Sequence, residues 1–480
     1  MSIRNLMWFR QDLRLQDNPA LIAAASSGTV LPIYILDDVN AGNWKAGAAS
    51  RWWLLHSLEA LDKALGHRLW VFSGDPLILI PQLVQAQNIS GIFWNRCYEP
   101  WRIRRDSKLK ASLEQSGLEV KSYNGSLLWE PWQNLKGDGT PYRVFTPFYK
   151  GSRAKGVKIS HFLSKKPALT LALCDQPKEK LDSLNLLPSV PWYSGFTQYF
   201  TPGEAGAEDK LERFVQAGLS NYKEGRNFPA LESVSRLSPH LHFGEISVHR
   251  VWEAATNAGR MNVQESNAEY FQRELVWREF SYSLLFHFPT LTEQNLNPRF
   301  NEFPWLKDQH LLQSWQRGET GYPLVDAGMR ELWTTGYMHN RVRMVVGSFL
   351  VKNLLLHWRE GASWFWDCLL DADLPNNTLS WQWVAGCGAD AAPYFRIFNP
   401  VTQSRKFSAE AYIRQHVPEL AKLPDKWIHE PATAPTDVLS TADVVPGKNY
   451  PLPVVDLRIS RERALEAYAS LKDQQPEQKR

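Results

Sequence analysis

The chain has 480 residues, 44% hydrophobic and 22% charged, with a formal net charge of +4. That length exceeds one ordinary core and predicts two domains, while the composition excludes a disordered chain. A charge so near balance excludes nucleic-acid binding through a global basic bias, so any such contact must come from a local patch.

The opening MSIRNLMWFRQDLR carries Arg and Asp where a signal peptide would be apolar, and no apolar run reaches the roughly 20 residues of a membrane span. Cys97, Cys174, Cys368 and Cys387 form no C-x-x-C pair, so neither a zinc site nor a disulfide framework is expected. The expectation is a cytoplasmic, reduced protein without membrane association, acting as a monomer.

Short apolar runs predict strands at 6–9, 30–36, 69–72, 91–94 and 119–123, with helical patterns at 18–25, 49–65, 77–86 and 104–116 between them. This β-α-β-α rhythm predicts a Rossmann-like, doubly wound, mostly parallel sheet over residues 1–130. No G-x-G-x-x-G follows the first strand, so nucleotide binding does not follow from the shape alone. Residues 131–205 hold scattered Pro and Gly with little periodicity and are expected to form a long interdomain connection. From 206 to 480 the periodicity is helical, at 205–217, 246–258, 267–288, 322–334 and 341–359, and predicts an all-α domain.

Four blocks carry chemistry. The turn Ser235-Arg236-Leu237-Ser238 precedes a helical run and suits a phosphate held by hydroxyls and free amides, or an ordinary N-cap. Glu274, Trp277 and Arg278 share one helix face, where Glu274 and Arg278 could equally be a plain ion pair. Met338, Asn340, Arg341, Arg343 and Met344 cluster at an expected helix start. Finally DADLPNNTLSWQWVAGCGADAAPYFRIFNP, Asp371–Pro400, packs acids, amides and indoles densely, as a planar hydrogen-bonding cofactor requires. Its small residues 386–392 are expected to let the backbone approach a flat ligand.

Together these blocks resemble the photolyase/cryptochrome family, and within it the bacterial class I cyclobutane-dimer photolyases. The resemblance spans about residues 3–430, including the opening Trp8–Asn18. It implies a helical FAD-binding domain, with FAD held by Tyr222, Ser235, Arg236, Leu237, Ser238, Glu274, Arg278, Asn340, Arg343, Asp371, Asp373 and Asn377. It implies a catalytic pocket of Glu274, Trp277, Asn340, Met344, Asn377 and Trp383. DNA containing cyclobutane pyrimidine dimers is the implied partner, met by Arg226, Trp277, Arg341 and Arg396. Trp381, Trp358 and Trp305 match an electron-hopping triad that feeds the flavin. Arg10, Asp38, Arg51 and Glu99 are the implied antenna pocket for a reduced folate or a deazaflavin; the absence of a lysine in His287–Glu293 departs from some folate-binding members. Asn377 is an amide where signalling members tend to carry other residues. Met344 stands where the (6-4) photolyases carry histidine. Both favour dimer repair over a cryptochrome-like photoreceptor.

Overall fold

The computed structural model describes residues 3–159, 163, 165–172, 180–261 and 265–473. Five strands, β1 (Arg4–Phe9), β2 (Thr29–Leu36), β3 (Trp70–Ser73), β4 (Gly91–Asn95) and β5 (Glu119–Tyr123), form one parallel sheet in the order β3-β2-β1-β4-β5. The period-2 alternation of the strands splits their side chains between two cores. Leu6, Trp8, Ile33 and Trp94 enter one; Met7, Phe9, Tyr34 and Phe93 enter the other. Helices α1 (Pro19–Ser27), α2 (Ala48–Ala64), α3 (Pro76–Ala86) and α4 (Pro100–Gln115) cover the sheet. Three begin on proline, whose missing N–H costs nothing in a first turn, and Asn18 and Asp75 cap α1 and α3 by accepting from Leu21 N and Leu77 N.

The second half is helical, and its largest core gathers side chains from residues 300–471. Its spine is a 23-residue helix, Glu265–His287, packed on Val248–Met261 and Leu374–Ala385. Helix α2 joins the halves: Ala48 N donates to the Asp367 carboxylate, and Trp53 Nε1 donates to Glu245 at 3.0 Å.

The connection carries a helix that its sequence pattern does not predict, the 11-residue α5, Phe145–Lys155, against the spine. Pro147 and Gly151 interrupt its apolar pattern in sequence. The expected single helix 341–359 is broken: helix Asn340–Ser348 runs into a π-helical turn, Phe349–Asn353, and a new helix starts at Trp358. Leu355 takes a left-handed φ of 55° between them, while Leu306 N donates to the Leu355 carbonyl at 2.9 Å. That connection interrupts the helix where the apolar run Leu354–Leu356 would have continued it.

Candidate active site

Three motifs distant in sequence meet in the helical half. Asp371 accepts from Arg343 Nη2 at 3.0 Å and from Ser238 Oγ at 2.5 Å, tying the turn at 235–238 to both later blocks. Arg236 and Arg343 lie against the Tyr337 ring, with guanidinium carbons 5.3 and 5.2 Å from its centroid. Arg236 holds a left-handed φ of 51°, a conformation a non-glycine residue adopts only under local constraint. Ser235 Oγ accepts from Leu237 N at 3.4 Å, and Leu237 is buried.

His339 lies at the centre of this positive charge. Its Nδ1 accepts from Arg341 N at 3.2 Å and caps helix Asn340–Ser348, which leaves the ring proton on Nε2. That Nε2 is buried without a partner. Burial, then Arg236, Arg341, Arg343 and Arg226, push the imidazole pKa down to about 3, so the ring is neutral. Arg343 is answered by Asp371 and Arg226 by Glu274; Arg236 and Arg341 have no carboxylate partner among the described ion pairs. Surplus guanidinium charge with an orphaned N–H donor suits a bound diphosphate group, and these residues therefore fit FAD.

The spine helix supplies the neighbouring wall. Glu274 and Arg278 do not pair with one another: Glu274 binds Arg226, while Arg278 donates to Glu279 at 3.0 Å and to the Ser126 carbonyl at 2.9 Å. Arg278 also covers the Tyr282 ring at 4.7 Å, close to Asp373. Trp277 is half-buried, and Phe145 of α5 stacks on it at 3.6 Å and 5°. Phe145 was not anticipated from sequence, because the helix that presents it was missed. Tyr222 is buried between Phe214 and Phe271, with Arg226 5.4 Å from its ring. Arg341 reaches Asn227 and lies 3.6 Å from Met344 Sδ, while Asn340 is exposed at the helix start.

In the 371–400 block, Asp373 caps helix Leu374–Ala385 by accepting from Asn376 N at 3.0 Å, and also accepts from Tyr282 Oη at 2.6 Å. Asn377 donates from Nδ2 to the Ala362 carbonyl at 3.0 Å. Gln382 is fully committed to Leu291, Gln294 and Leu296. Two of the small residues after it have packing and capping roles. A Cβ on Gly388 would meet Gln382 Cβ at 2.7 Å, and Gly386 is a left-handed helix cap at φ 83°. Trp383 is half-buried beside the same core.

Trp381 and Trp358 are buried in one core, with Trp305 at its edge. Trp358 Nε1 donates to Asn295 at 2.9 Å, and His357 lies between Trp358 and Trp305, at 5.7 and 5.1 Å.

A separate cleft lies at the carboxyl ends of β1 and β4, the point where strand order reverses. Trp8, Arg10, Asp38, Glu99 and Arg102 line it from the sheet, and His242, Trp366 and Leu374 from the helical half. Arg51 reaches it through Asp38 at 2.6 Å. Arg10 binds Asp106, Arg105 binds Asp37 at 2.8 Å and Arg102 binds Glu99 at 3.3 Å. These pairs fill the space and leave a cavity of about 80 Å³. Arg341 and Arg396 meet elsewhere, with Phe228, Lys406 and Phe407, around a cleft of about 580 Å³. Among the described residues no helix is long and apolar enough to cross a membrane, and no His/Cys/Asp/Glu cluster suits a metal. Cys97, Cys368 and Cys387 are free thiols; Cys174 lies outside the described residues.

A family model described as the FAD binding domain of DNA photolyase matches residues 271–470, and one described as DNA photolyase matches residues 5–168. The chain is 48% identical to a deoxyribodipyrimidine photo-lyase of Agrobacterium fabrum, over 97% of this chain and 98% of that protein. It is 37% identical to cryptochrome-2 of Arabidopsis thaliana, over 99% of this chain and 80% of that protein. A crystal structure of a bacterial class III photolyase from Agrobacterium tumefaciens matches with a TM-score of 0.94 at 46% identity, covering 98% of both chains. The sequence resemblance was set nearest class I enzymes; this solved relative carries the class III designation.

Proposed function

Because the chain belongs to the DNA photolyase family, with cryptochromes among its relatives, we propose that it is a light-driven repair enzyme for cyclobutane pyrimidine dimers in DNA. Its helical half is an FAD-binding domain and FAD is its cofactor. The observation that carries the proposal is the surplus guanidinium cradle, whose Arg226 binds Glu274 on the helix that also bears Trp277, and whose Arg341 lies 3.6 Å from Met344 Sδ. A cofactor site alone would serve a photoreceptor equally; an aromatic and carboxylate wall behind a basic rim serves an extruded pair of bases.

FAD would be held by Tyr222, Ser235–Ser238, Arg278, Asn340, Arg343, Asp371, Asp373 and Asn377. When bound in its reduced form it supplies one light-driven electron to the dimer, which returns after the ring opens, so no net redox change results. Asn377, an amide anchored on the Ala362 carbonyl, is a hydrogen-bonding neighbour but a poor proton donor. Arg226, Arg341 and Arg396 neutralise DNA phosphates. Trp277, its far face already covered by Phe145, presents the other to a flipped base, and Trp383 faces it. Glu274 exchanges its present bond to Arg226 for the polar edge of the dimer, which frees Arg226 for phosphate. Trp381, Trp358 and Trp305 relay electrons inward from the surface. Residues 1–130 form the antenna domain, 131–205 the connection and 206–480 the catalytic domain. A reduced folate or deazaflavin would enter the cleft of Arg10, Asp38, Arg51 and Glu99 by displacing part of its ion-pair network.

The test is a defined oligonucleotide carrying one thymine dimer, incubated with fully reduced holoenzyme in light and in darkness. Conversion to two thymines in the light alone is expected. A protein that holds FAD and leaves the dimer whole would be a photoreceptor instead.

A further inference from the structure

Arg396 sits in an irregular segment, residues 391–399, that no helix or strand supports. The segment is fixed from beneath at three points. Tyr394 packs on Tyr468 at 4.7 Å and Phe303 at 5.4 Å, and Phe398 N donates to Ser348 Oγ at 3.2 Å. The third point is Lys352, whose Nζ donates to the Arg396 carbonyl at 2.9 Å and lies 5.3 Å from the Tyr394 ring.

Lys352 is an unusual choice for that task. Its side chain is fully buried and no carboxylate faces it among the described residues; burial, and then the nearby Arg396 cation, push its pKa down to about 7. Next to it, Arg463 donates to the Asn353 carbonyl at 2.7 Å and closes the same π-helical turn. A buried lysine amine, charged or neutral, carries a desolvation cost that a methionine of similar length would avoid. Packing alone therefore does not call for lysine. π-Helical turns are frequent at functional sites, where they re-aim a side chain that a regular helix would present elsewhere.

We infer that Lys352 is a positioning residue for DNA binding: its Nζ–H donor clamps the Arg396 main chain and aims that guanidinium at the DNA backbone. The inference rests on the reading of this protein as a DNA-repair enzyme. Lys352 is buried and does not line the cleft shared by Arg341, Arg396, Lys406 and Phe407, so it reaches DNA only through Arg396.

The experiment compares FAD-loaded wild type, Lys352→Met, Arg396→Ala and the double variant for binding to a dimer-containing oligonucleotide at 50 and 200 mM salt. Loss of one phosphate contact flattens the log–log salt dependence by about 0.9, so the affinity fall across that range shrinks about 3.5-fold. Lys352→Met is expected to show this with FAD content unchanged and a melting temperature equal to or above wild type. The double variant should match Arg396→Ala, since the clamp acts through Arg396. A merely structural lysine would lower the melting temperature and leave the salt slope alone, and that result overturns the inference. So does an effect of Lys352→Met that persists undiminished in the Arg396→Ala background. Should Lys352→Met fail to fold, Ser348→Ala removes the adjacent anchor and must flatten the slope in the same direction, or the inference falls. Wild type that binds dimer DNA without salt dependence would instead overturn the phosphate-rim reading on which it rests.

Discussion

The two clefts of this molecule treat arginine in opposite ways. At the sheet's switch point every guanidinium has a nearby carboxylate: Arg10 with Asp106, Arg105 with Asp37, Arg102 with Glu99 and Arg51 with Asp38. In the helical half the guanidinium groups of Arg226, Arg236, Arg341 and Arg343 all bear on His339, and among the described ion pairs two of them, Arg226 and Arg343, meet an acid. A balanced network neutralises its own charge and can hold a cleft nearly closed. A surplus stays in the protein only where something anionic answers it, because unpaired buried charge is expensive. Abundance of charge does not mark a site; its imbalance does.

The largest effect that separates the halves concerns electron delivery. Trp381→Phe should abolish or greatly slow photoreduction of oxidised FAD, followed as flavin bleaching under blue light. Repair by chemically reduced enzyme should survive, because Trp381 is buried in the core against Phe365 and Trp315 and is assigned to feeding the flavin, not to the dimer. Unchanged photoreduction would mean that electrons take another route.

Next come the two buried ion pairs. Arg343→Ala leaves Asp371 without a cation and should destabilise by about 3 kcal/mol, at the low end for a buried pair because its guanidinium is one-quarter exposed; Arg10→Ala should destabilise by less, because Asp106 keeps Arg105 at 2.7 Å. Thermal unfolding should register both. Flavin absorbance after purification should fall for Arg343→Ala alone. Equal flavin loss in both variants would dissolve the contrast between the clefts.

A smaller effect tests the substrate wall. Glu274→Ala should weaken dimer binding or repair by roughly 1.5–3 kcal/mol, the worth of a hydrogen bond with a charged partner. Trp277→Ala should reduce discrimination for dimer over undamaged DNA by about 1–3 kcal/mol of lost stacking. FAD content should be normal in Glu274→Ala, since its bond in this structure is to Arg226.

What could be read from the sequence follows the range of the interactions. Strand alternation is local, and β5 lies at 119–123 as its pattern requires. Hydroxyl, guanidinium and carboxylate at 238, 343 and 371 meet across as many as 133 positions, a contact that no periodicity encodes. They were grouped only through family resemblance. Two local features were hidden for opposite reasons. Pro147 and Gly151 disguise a real helix, α5, and with it the stacking partner of Trp277. Leu354–Leu356 disguise a real break, because apolar residues continue the helical pattern through a left-handed Leu355. Gly388 is ambiguous in a third way, since a glycine that makes room for Gln382 looks in sequence like one that makes room for a ligand.

The smallest effect probes the charge surplus directly. His339 is neutral in the fold with its pKa near 3, well under the usual histidine value near 6.5, first because it is buried and then because four guanidinium groups oppose its protonation. A histidine depressed in the native state is protonated more readily when unfolded. Its contribution to stability is therefore present above about pH 6.5 and is lost as pH falls from there toward 3. The loss cannot exceed about 1.4 kcal/mol per pH unit for one group, so urea unfolding at pH 6.5 and 5.5 should differ by about 1 kcal/mol from this source. His339→Asn can keep the cap on Arg341 N while removing the titration, and its acid limb should be flatter by that amount. An unchanged acid limb would mean that the guanidinium field around His339 is already neutralised in solution, and that the helical half is balanced in the same way as the sheet's cleft.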